Sequence, residues 1–190
     1  MNQEWSEKLC AIGVVHSPFH EATGTPVQPF AAAQYEGGCA DVRDYPEAPR
    51  VSAQGSQGTL EIFPEWEEAL LDLEGFSRAW ILFWCHRSAE PKKHSIPYRD
   101  AVPHGLFATR APARPNPIGI STVRIQAVRG RFIHVSEMDA LHGSPLLDLK
   151  PYVPLYDSYP DERAGWLEHH PGKKRAVKAD ARFEREKTAD

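Results

Sequence analysis

The residues best suited to chemistry lie in a proline-rich stretch at positions 107–121, FATRAPARPNPIGIS. Arg110 and Arg114 carry planar guanidinium groups that can bind a carboxylate or a phosphate, and Asn116 adds an amide that donates and accepts hydrogen bonds. Proline fixes its own φ and favours extended backbone at the residue before it, so the closely spaced prolines exclude a helix and stiffen the loop. The pattern predicts a rigid anion-binding loop. The same composition is also typical of a stiff surface turn with solvated arginines.

A second polar stretch follows at positions 139–152, DALHGSPLLDLKPY. Gly143 permits backbone angles that other residues avoid, and Asp139 and Asp148 offer carboxylates that can accept a proton. Their separation cannot be read from the sequence, so the pair does not by itself predict two-carboxylate chemistry.

Together these two stretches resemble the paired motifs of the TsaA-like family, also called TrmO-like. Three further blocks are similar to that family in the same order: IGVVHSP at 12–18, GTPVQP at 24–29 and LEGFSRAW at 73–80. The resemblance covers roughly residues 10–158. Members of the family with an assigned role are S-adenosylmethionine-dependent tRNA methyltransferases.

The resemblance implies S-adenosylmethionine as the cofactor, tRNA as the substrate, and a homodimer with the pocket near its two-fold interface. The acceptor implied is the exocyclic nitrogen of the threonylcarbamoyl-modified adenosine next to the anticodon. The cofactor-binding positions implied are Gln28, Pro29, His86, Arg87, Arg110, Arg114, Pro115, Asn116, Ile118, Asp139, Leu141, His142, Gly143 and Ser144. Asp139 and Asp148 are the candidates for a general base, while Lys150 and Tyr152 are expected to brace the site or the RNA.

The chain also departs from the family pattern at two places. Ala111 stands where many members carry serine, and His142-Gly-Ser144 stands where many carry Asp-Gly-Thr. These departures leave two alternatives open. One is a methyltransferase that uses the same cofactor on a small molecule, and the other is a non-catalytic barrel that binds S-adenosylmethionine or RNA.

Composition is that of a globular chain of one domain: 190 residues, 41% hydrophobic and 25% charged. No apolar run approaches the roughly 20 residues of a membrane helix, and no secretory signal is visible, so we expect a cytoplasmic protein without membrane contact. A net charge of -4 does not indicate a nucleic-acid binder. Positions 85–114 are nevertheless locally basic, with Arg87, Lys92, Lys93, Arg99, Arg110 and Arg114 against Glu90 and Asp100.

The sequence lacks the usual motifs of several kinds of site. Cys10, Cys39 and Cys85 form no CxxC pair, and no HExxH is present, so we expect neither a disulfide framework nor a metal site. The sequence also has no GxGxxG for the dinucleotide-type fold of most methyltransferases, and no GxSxG nucleophile elbow.

Short apolar or alternating segments at 11–15, 58–63, 79–85, 118–128, 131–137 and 146–152 predict strands. A tight turn at Arg129-Gly130 is predicted to join the segments 118–128 and 131–137 in a hairpin. The run at 79–85 is continuously apolar, which favours a strand buried on both faces, and 106–109 is expected to be short and extended. One helix is predicted after Pro64, with a core-facing stripe of Trp66, Ala69, Leu70 and Leu73 and a left-handed cap at Gly75.

The predicted fold class is therefore all-β, a closed or nearly closed barrel with one short helix, long loops and a charged C-terminal tail. Residues 1–9 form an N-terminal extension, 10–160 the barrel domain, and 161–190 the tail, expected to be mobile or partly helical. A long irregular segment is expected at 19–56. The basic cluster KKR at 173–175, together with Lys178, is a candidate RNA contact.

Overall fold

The computed structural model of the chain describes residues 8–27, 55–98, 100–169 and 178–183. Gln28, Pro29 and Cys39 lie outside the described residues, as does most of the irregular segment expected at 19–56.

Six antiparallel strands close into a barrel in the order β1-β2-β7-β6-β3-β8. Two further short strands, β4 and β5, pair with each other outside it. The closed barrel confirms the predicted fold class. The strand bounds are β1 Gly13–His16, β2 Gln57–Ile62, β3 Arg78–Trp84, β4 His94–Ser95, β5 His104–Gly105, β6 Ile118–Arg129, β7 Phe132–Ser136 and β8 Pro145–Pro151.

Strand β3 lies between β6 and β8 and shows how the barrel sorts its side chains. Ala79, Ile81 and Phe83 point inward and are buried, whereas the residues between them are only partly buried. The prediction that this strand is buried on both faces is therefore wrong. A barrel wall has an outer face, and on it Trp80 packs against Tyr152 with 5.7 Å between ring centroids.

The barrel interior is filled by apolar side chains from every strand. The fully buried ones include Val15, Leu60, Ile62, Ile81, Val123, Ile133, Val135 and Leu146. Strand β6 runs on into β7 through a tight turn at Gly130, whose φ of +52° suits glycine. The predicted hairpin is thus present.

The predicted helix is present as two 3₁₀ helices, Pro64–Leu70 and Leu73–Gly75. A 3₁₀ helix aligns residues three apart, so the predicted stripe splits in two. Leu70 and Leu73 pack on the core, but Trp66 is 50% exposed, and the prediction of a single buried stripe is wrong. The left-handed residue is Asp72, with φ 67°, instead of Gly75.

The remaining helical segments are short. Leu106–Ala108 is a 3₁₀ turn where extended backbone was expected, and helix α1 spans Pro154–Asp157. Two further 3₁₀ helices span Gly165–His169 and Ala181–Phe183. Among the residues that the structure describes, no helix has the length and apolar character needed to cross a membrane.

Candidate functional site

One end of the barrel holds a cavity of about 350 Å³. It forms where β3 ends and β6 begins, and the loop after β1 and the β7–β8 loop complete the rim. Phe83, Ile118 and Ile120 give it an apolar surface. Gly119 leaves room for the Phe83 ring beside them, because a Cβ atom there would lie 2.4 Å from the ring and force it to shift.

The proline loop, residues 109–117, lines the cavity through Arg110, Pro112 and Arg114. The guanidinium of Arg114 donates hydrogen bonds to the carbonyl oxygens of Thr109 at 2.9 Å and Leu106 at 3.3 Å. The loop is also fixed to the barrel, since Cys85 donates its backbone N–H to Pro117. Part of the Arg114 hydrogen-bonding capacity therefore holds the loop in shape.

Asp139 contributes a carboxyl group to the cavity, and Ser121 donates a hydrogen bond of 2.6 Å to it. Burial raises the pKa of Asp139 to about 7, although the hydrogen bond from Ser121 and the charge of Arg110 act in the opposite direction. Burial, reinforced by Asp139, raises the pKa of the neighbouring Cys85 thiol to about 12. At neutral pH the cavity thus contains a carboxyl group able to exchange a proton and a thiol that stays protonated.

His86 and Arg87 follow β3 after the single residue Cys85, and only Arg87 of the two lines the cavity. Its guanidinium donates a hydrogen bond of 2.5 Å to the backbone oxygen of His20. His86 lies behind the lining and is hydrogen-bonded through Nδ1 to the Ser144 hydroxyl at 3.3 Å. Burial, with the charge of Arg87, holds the pKa of His86 below its usual value, so this ring is neutral at pH 7.

The β7–β8 loop reaches the cavity with Asp139, Leu141 and Ser144. Its backbone is bonded to β1 and to the loop after it, since Gly143 donates its N–H to the oxygen of Val15 and His142 donates to that of Phe19, both at 2.8 Å. Gly143 has φ 77°, the left-handed conformation that glycine adopts without strain.

Of the predicted cofactor-binding positions, seven line the cavity: Arg87, Arg110, Arg114, Ile118, Asp139, Leu141 and Ser144. The lining does not include His86, Pro115, Asn116, His142 or Gly143, while Gln28 and Pro29 lie outside the described residues. Pro115 and Asn116 are exposed at the tip of the proline loop.

The second candidate base and the two bracing residues are also outside the lining. Asp148 binds Lys150 in an ion pair of 2.7 Å on the outer face of β8, and Tyr152 packs on Trp80. Asp148 is separated from the cavity because a bulge between Leu146 and Asp148 shifts the alternation of β8, so that Leu146 pairs with the inward-facing Phe83 but Asp148 pairs with the outward-facing Leu82.

Sequence reasoning missed two groups of residues near the cavity. Tyr98, Ala179 and Phe183 line it although no local motif marks them. His142 meets His16 and His20, with ring centroids 5.4 and 4.6 Å apart, and the four-residue spacing of His16 and His20 was a detectable signal. Within the described ranges, no three His, Cys, Asp or Glu side chains are placed to hold a metal ion.

The arrangement is suited to a small ligand that combines a flat apolar group with charges. The apolar surface can take a ring, and the guanidinium groups of Arg87 and Arg110 can pair with a carboxylate or a phosphate. Asp139 can accept a proton or face a positive charge. The closed barrel and the cavity at its end define the class of the protein as a β-barrel with a binding site for a small ligand.

Residues 14–158 match the tRNA-methyltransferase O N-terminal domain, and the chain belongs to that family. A probable S-adenosyl-L-methionine-binding protein of Pyrococcus abyssi is 41% identical over 172 residues, which cover 90% of this chain and 82% of the relative. The human tRNA (adenine(37)-N6)-methyltransferase is 35% identical over 150 residues, 77% of this chain but 30% of that enzyme. The crystal structure of TrmO from Pseudomonas aeruginosa superposes with a TM-score of 0.63 at 33% identity, covering 85% of this chain and 63% of that one.

Proposed function

We propose that the protein is an S-adenosylmethionine-dependent tRNA methyltransferase that methylates the exocyclic nitrogen of threonylcarbamoyl-modified adenosine beside the anticodon. The observation that carries the proposal is the proton-accepting carboxyl of Asp139 inside a cavity that also presents an apolar surface and three arginines. Family membership, the probable S-adenosyl-L-methionine-binding relative of Pyrococcus abyssi and the human tRNA (adenine(37)-N6)-methyltransferase support the same proposal.

The residues of the cavity fit the methyl donor. S-adenosylmethionine carries an adenine ring, a carboxylate and a positively charged sulfur, and these match the apolar surface, the guanidinium groups of Arg87 and Arg110, and the carboxyl of Asp139. Leu141 and Ser144 of the β7–β8 loop and Arg114 of the proline loop complete the donor site in this proposal. When bound, the donor supplies a methyl group on sulfur that a nitrogen can take in one in-line displacement.

The protein then has two tasks: to align the two reactants and to remove a proton. The stiff proline loop provides alignment, since Arg114 and the prolines fix its shape before a ligand arrives. Asp139 accepts the proton that the nitrogen loses as its new bond to carbon forms. A carboxyl group with a pKa of about 7 suits this role, because half of it is ionised at neutral pH and it still binds a proton well.

The surface beside the cavity supports an RNA substrate. Phe107 is 80% exposed at the entrance to the proline loop, with the Arg114 guanidinium 5.5 Å from its ring centroid. Unpaired RNA bases stack on aromatic rings and on guanidinium planes. We therefore place one nucleotide neighbouring the target adenosine on Phe107.

Phe107→Ala tests this placement. We expect the KM for tRNA to rise by about fivefold or more while the Kd of the donor is unchanged. Phe76→Ala is the matched control, because Phe76 is 39% exposed and precedes β3, away from the cavity. An unchanged KM in Phe107→Ala would contradict the stacking role.

The decisive experiment for the activity is nucleoside mass spectrometry of tRNA from a strain that lacks the gene. We expect a methylated threonylcarbamoyl-adenosine to disappear and to return when purified protein and labelled donor are added. Transfer of label to a small metabolite alone, or donor binding without transfer, would overturn the proposal in favour of one of the two alternatives.

We further propose that the protein is cytoplasmic, since its proposed substrate is tRNA, and that it acts as a homodimer. Large apolar side chains support a partner surface, since Leu155, Tyr156 and Tyr159 are each more than 60% exposed. Sedimentation equilibrium should give twice the mass of the chain, and a monomer at micromolar concentration would contradict the dimer.

A further inference from the structure

The C-terminal segment, residues 178–183, is hydrogen-bonded to two loops of the cavity. Ala179 donates its backbone N–H to Thr25 at 2.8 Å and accepts a bond from Gly24 at 2.9 Å. At the other end, Ala89 donates its N–H to the oxygen of Phe183 at 2.9 Å. The segment thus joins the loop after β1 to the loop after β3.

Side chains fix the segment between these anchor points. The guanidinium of Arg182 lies 4.8 Å from the ring centroid of Tyr98 and also binds the Asp180 carboxylate at 2.7 to 3.0 Å. Tyr98 donates its hydroxyl to the backbone oxygen of Asp180 at 3.3 Å. Because these groups are mostly exposed, they orient the segment more than they stabilise the fold.

Phe183 is the large apolar side chain that this arrangement brings to the cavity. It is partly buried, and its ring meets that of Tyr98 edge to face, with centroids 5.3 Å apart and planes at 82°. Both rings line the cavity together with Ala179. Two perpendicular rings form an apolar corner in which a flat ring can stack on one and contact the other.

We propose that the C-terminal segment completes the ligand pocket and that Phe183 binds an adenine ring there by stacking. The inference rests on the proposed function, in which both the methyl donor and the target nucleoside carry adenine. It assigns a binding role to residues beyond the family domain, which ends at residue 158.

Phe183→Ala in the full chain tests the proposal with two readouts, the donor Kd by calorimetry and the KM for tRNA by methyl transfer. We expect one of them to rise by about fivefold to a hundredfold. A rise in Kd would show that the adenine stacked on Phe183 is that of the donor, and a rise in KM would show that it is that of the tRNA. Phe183→Tyr should keep both constants within about twofold, because it retains the ring. Phe76→Ala again serves as the control.

Unchanged Kd and KM in Phe183→Ala would overturn the proposal, provided that the wild-type protein binds the donor. A wild-type protein that does not bind it would instead contradict the proposed function. If circular dichroism shows that Phe183→Ala is unfolded, Ala179→Trp replaces it, since a bulky ring at this lining position should obstruct the pocket and cause a similar loss. Wild-type affinity for both ligands in Ala179→Trp would likewise overturn the proposal.

Discussion

The proline loop and the C-terminal segment both line the cavity, but they are held in place by different means. Arg114 binds carbonyl oxygens at most eight residues away, and the prolines restrict the backbone between them. The C-terminal segment depends on partners distant in the sequence, such as Tyr98, which lies 82 residues before Asp180.

This difference in how the two segments are held indicates how each side of the cavity contributes to binding. A loop stiffened by its own sequence loses little entropy when a ligand binds, so its shape is set in advance. A segment held by a few exposed hydrogen bonds to distant residues can open locally, because little free energy is needed to break those bonds. We therefore expect the proline loop to set the geometry and the C-terminal segment to set how long a ligand stays.

The largest effect is expected at Asp139, which lies in the cavity that both segments line. Asp139→Asn removes the proton acceptor without altering either segment, so kcat should fall by about 100-fold or more. In the wild-type protein the rate should rise with pH up to about 7 and then level off, and this dependence should vanish in the variant.

Methyl transfer to tRNA, followed with labelled donor between pH 5.5 and 9, measures both effects. Asp148→Asn is the matched control, because this carboxyl is on the outer face of β8 and should leave kcat within about twofold. Near-normal turnover in Asp139→Asn would remove this residue from the reaction.

Next in size is the loss of Arg114. Arg114→Ala removes the guanidinium donor from the oxygen of Thr109, whereas the oxygen of Leu106 keeps its hydrogen bonds from the N–H and hydroxyl of Thr109. We expect a loss of about 1.5 kcal/mol in the free energy of unfolding. The donor Kd should rise by about tenfold, because the loop is no longer fixed in advance. Urea unfolding and calorimetry provide the two measurements.

Asn116→Ala is the control within the same loop. Its side chain is exposed at the tip and outside the cavity lining. The free energy of unfolding should therefore stay within about 0.5 kcal/mol of the wild type, and the donor Kd within about twofold. A donor Kd that rises as much in Asn116→Ala as in Arg114→Ala would show that the tip itself contacts the ligand.

The same contrast explains what the sequence could and could not predict. Alternation of apolar residues along β6 and β7 and the turn at Gly130 were enough for the hairpin, because strand period and turn chemistry are local. The rigidity of the proline loop was predicted on equally local grounds, from the restricted backbone angles of its prolines. Arg87 was among the positions that the family resemblance implied, and it lines the cavity beyond the end of β3.

The remaining errors of the sequence-based predictions concern features that tertiary contacts determine. The helix after Pro64 reads as an amphipathic α-helix, yet seven residues form a 3₁₀ helix whose Trp66 is solvent-exposed. Asp148 and Asp139 look equivalent in the sequence, and only the barrel shows that one faces outward. Phe183 stands in a charged tail without periodicity, so its position depends on partners such as Tyr98 that no local pattern reveals.

A further effect concerns stability and pH. The pKa of Asp139 rises from 3.8 to about 7 on folding, so the folded state favours the protonated form. The contribution of this group to stability is therefore present at low pH and is lost as the pH rises through 7. Asp139→Asn has no charge to bury and should become more stable than the wild type above this pH.

Thermal unfolding at pH 5 and pH 8.5 measures the difference in Tm between Asp139→Asn and the wild type. Relative to the wild type, we expect the variant to gain on the order of 2–3 kcal/mol in the free energy of unfolding between these pH values, or several degrees in Tm. A difference in Tm that is the same at both pH values would mean that Asp139 is ionised throughout.

The smallest effect is expected in the C-terminal segment, where Arg182→Gln removes the charge that holds Asp180 and Tyr98 together. An exposed pair of this kind contributes about 0.5 kcal/mol, so Tm should barely change. Hydrogen exchange is the sharper measurement, because it reports local opening. The amides of Ala89 and Ala179 should exchange about two to three times faster in the variant, whereas the amide of Cys85, bonded to Pro117 in the proline loop, should keep its rate. Faster exchange at all three amides would mean that the two sides of the cavity open as one unit, and the contrast between a preset loop and a separately opening segment would no longer hold.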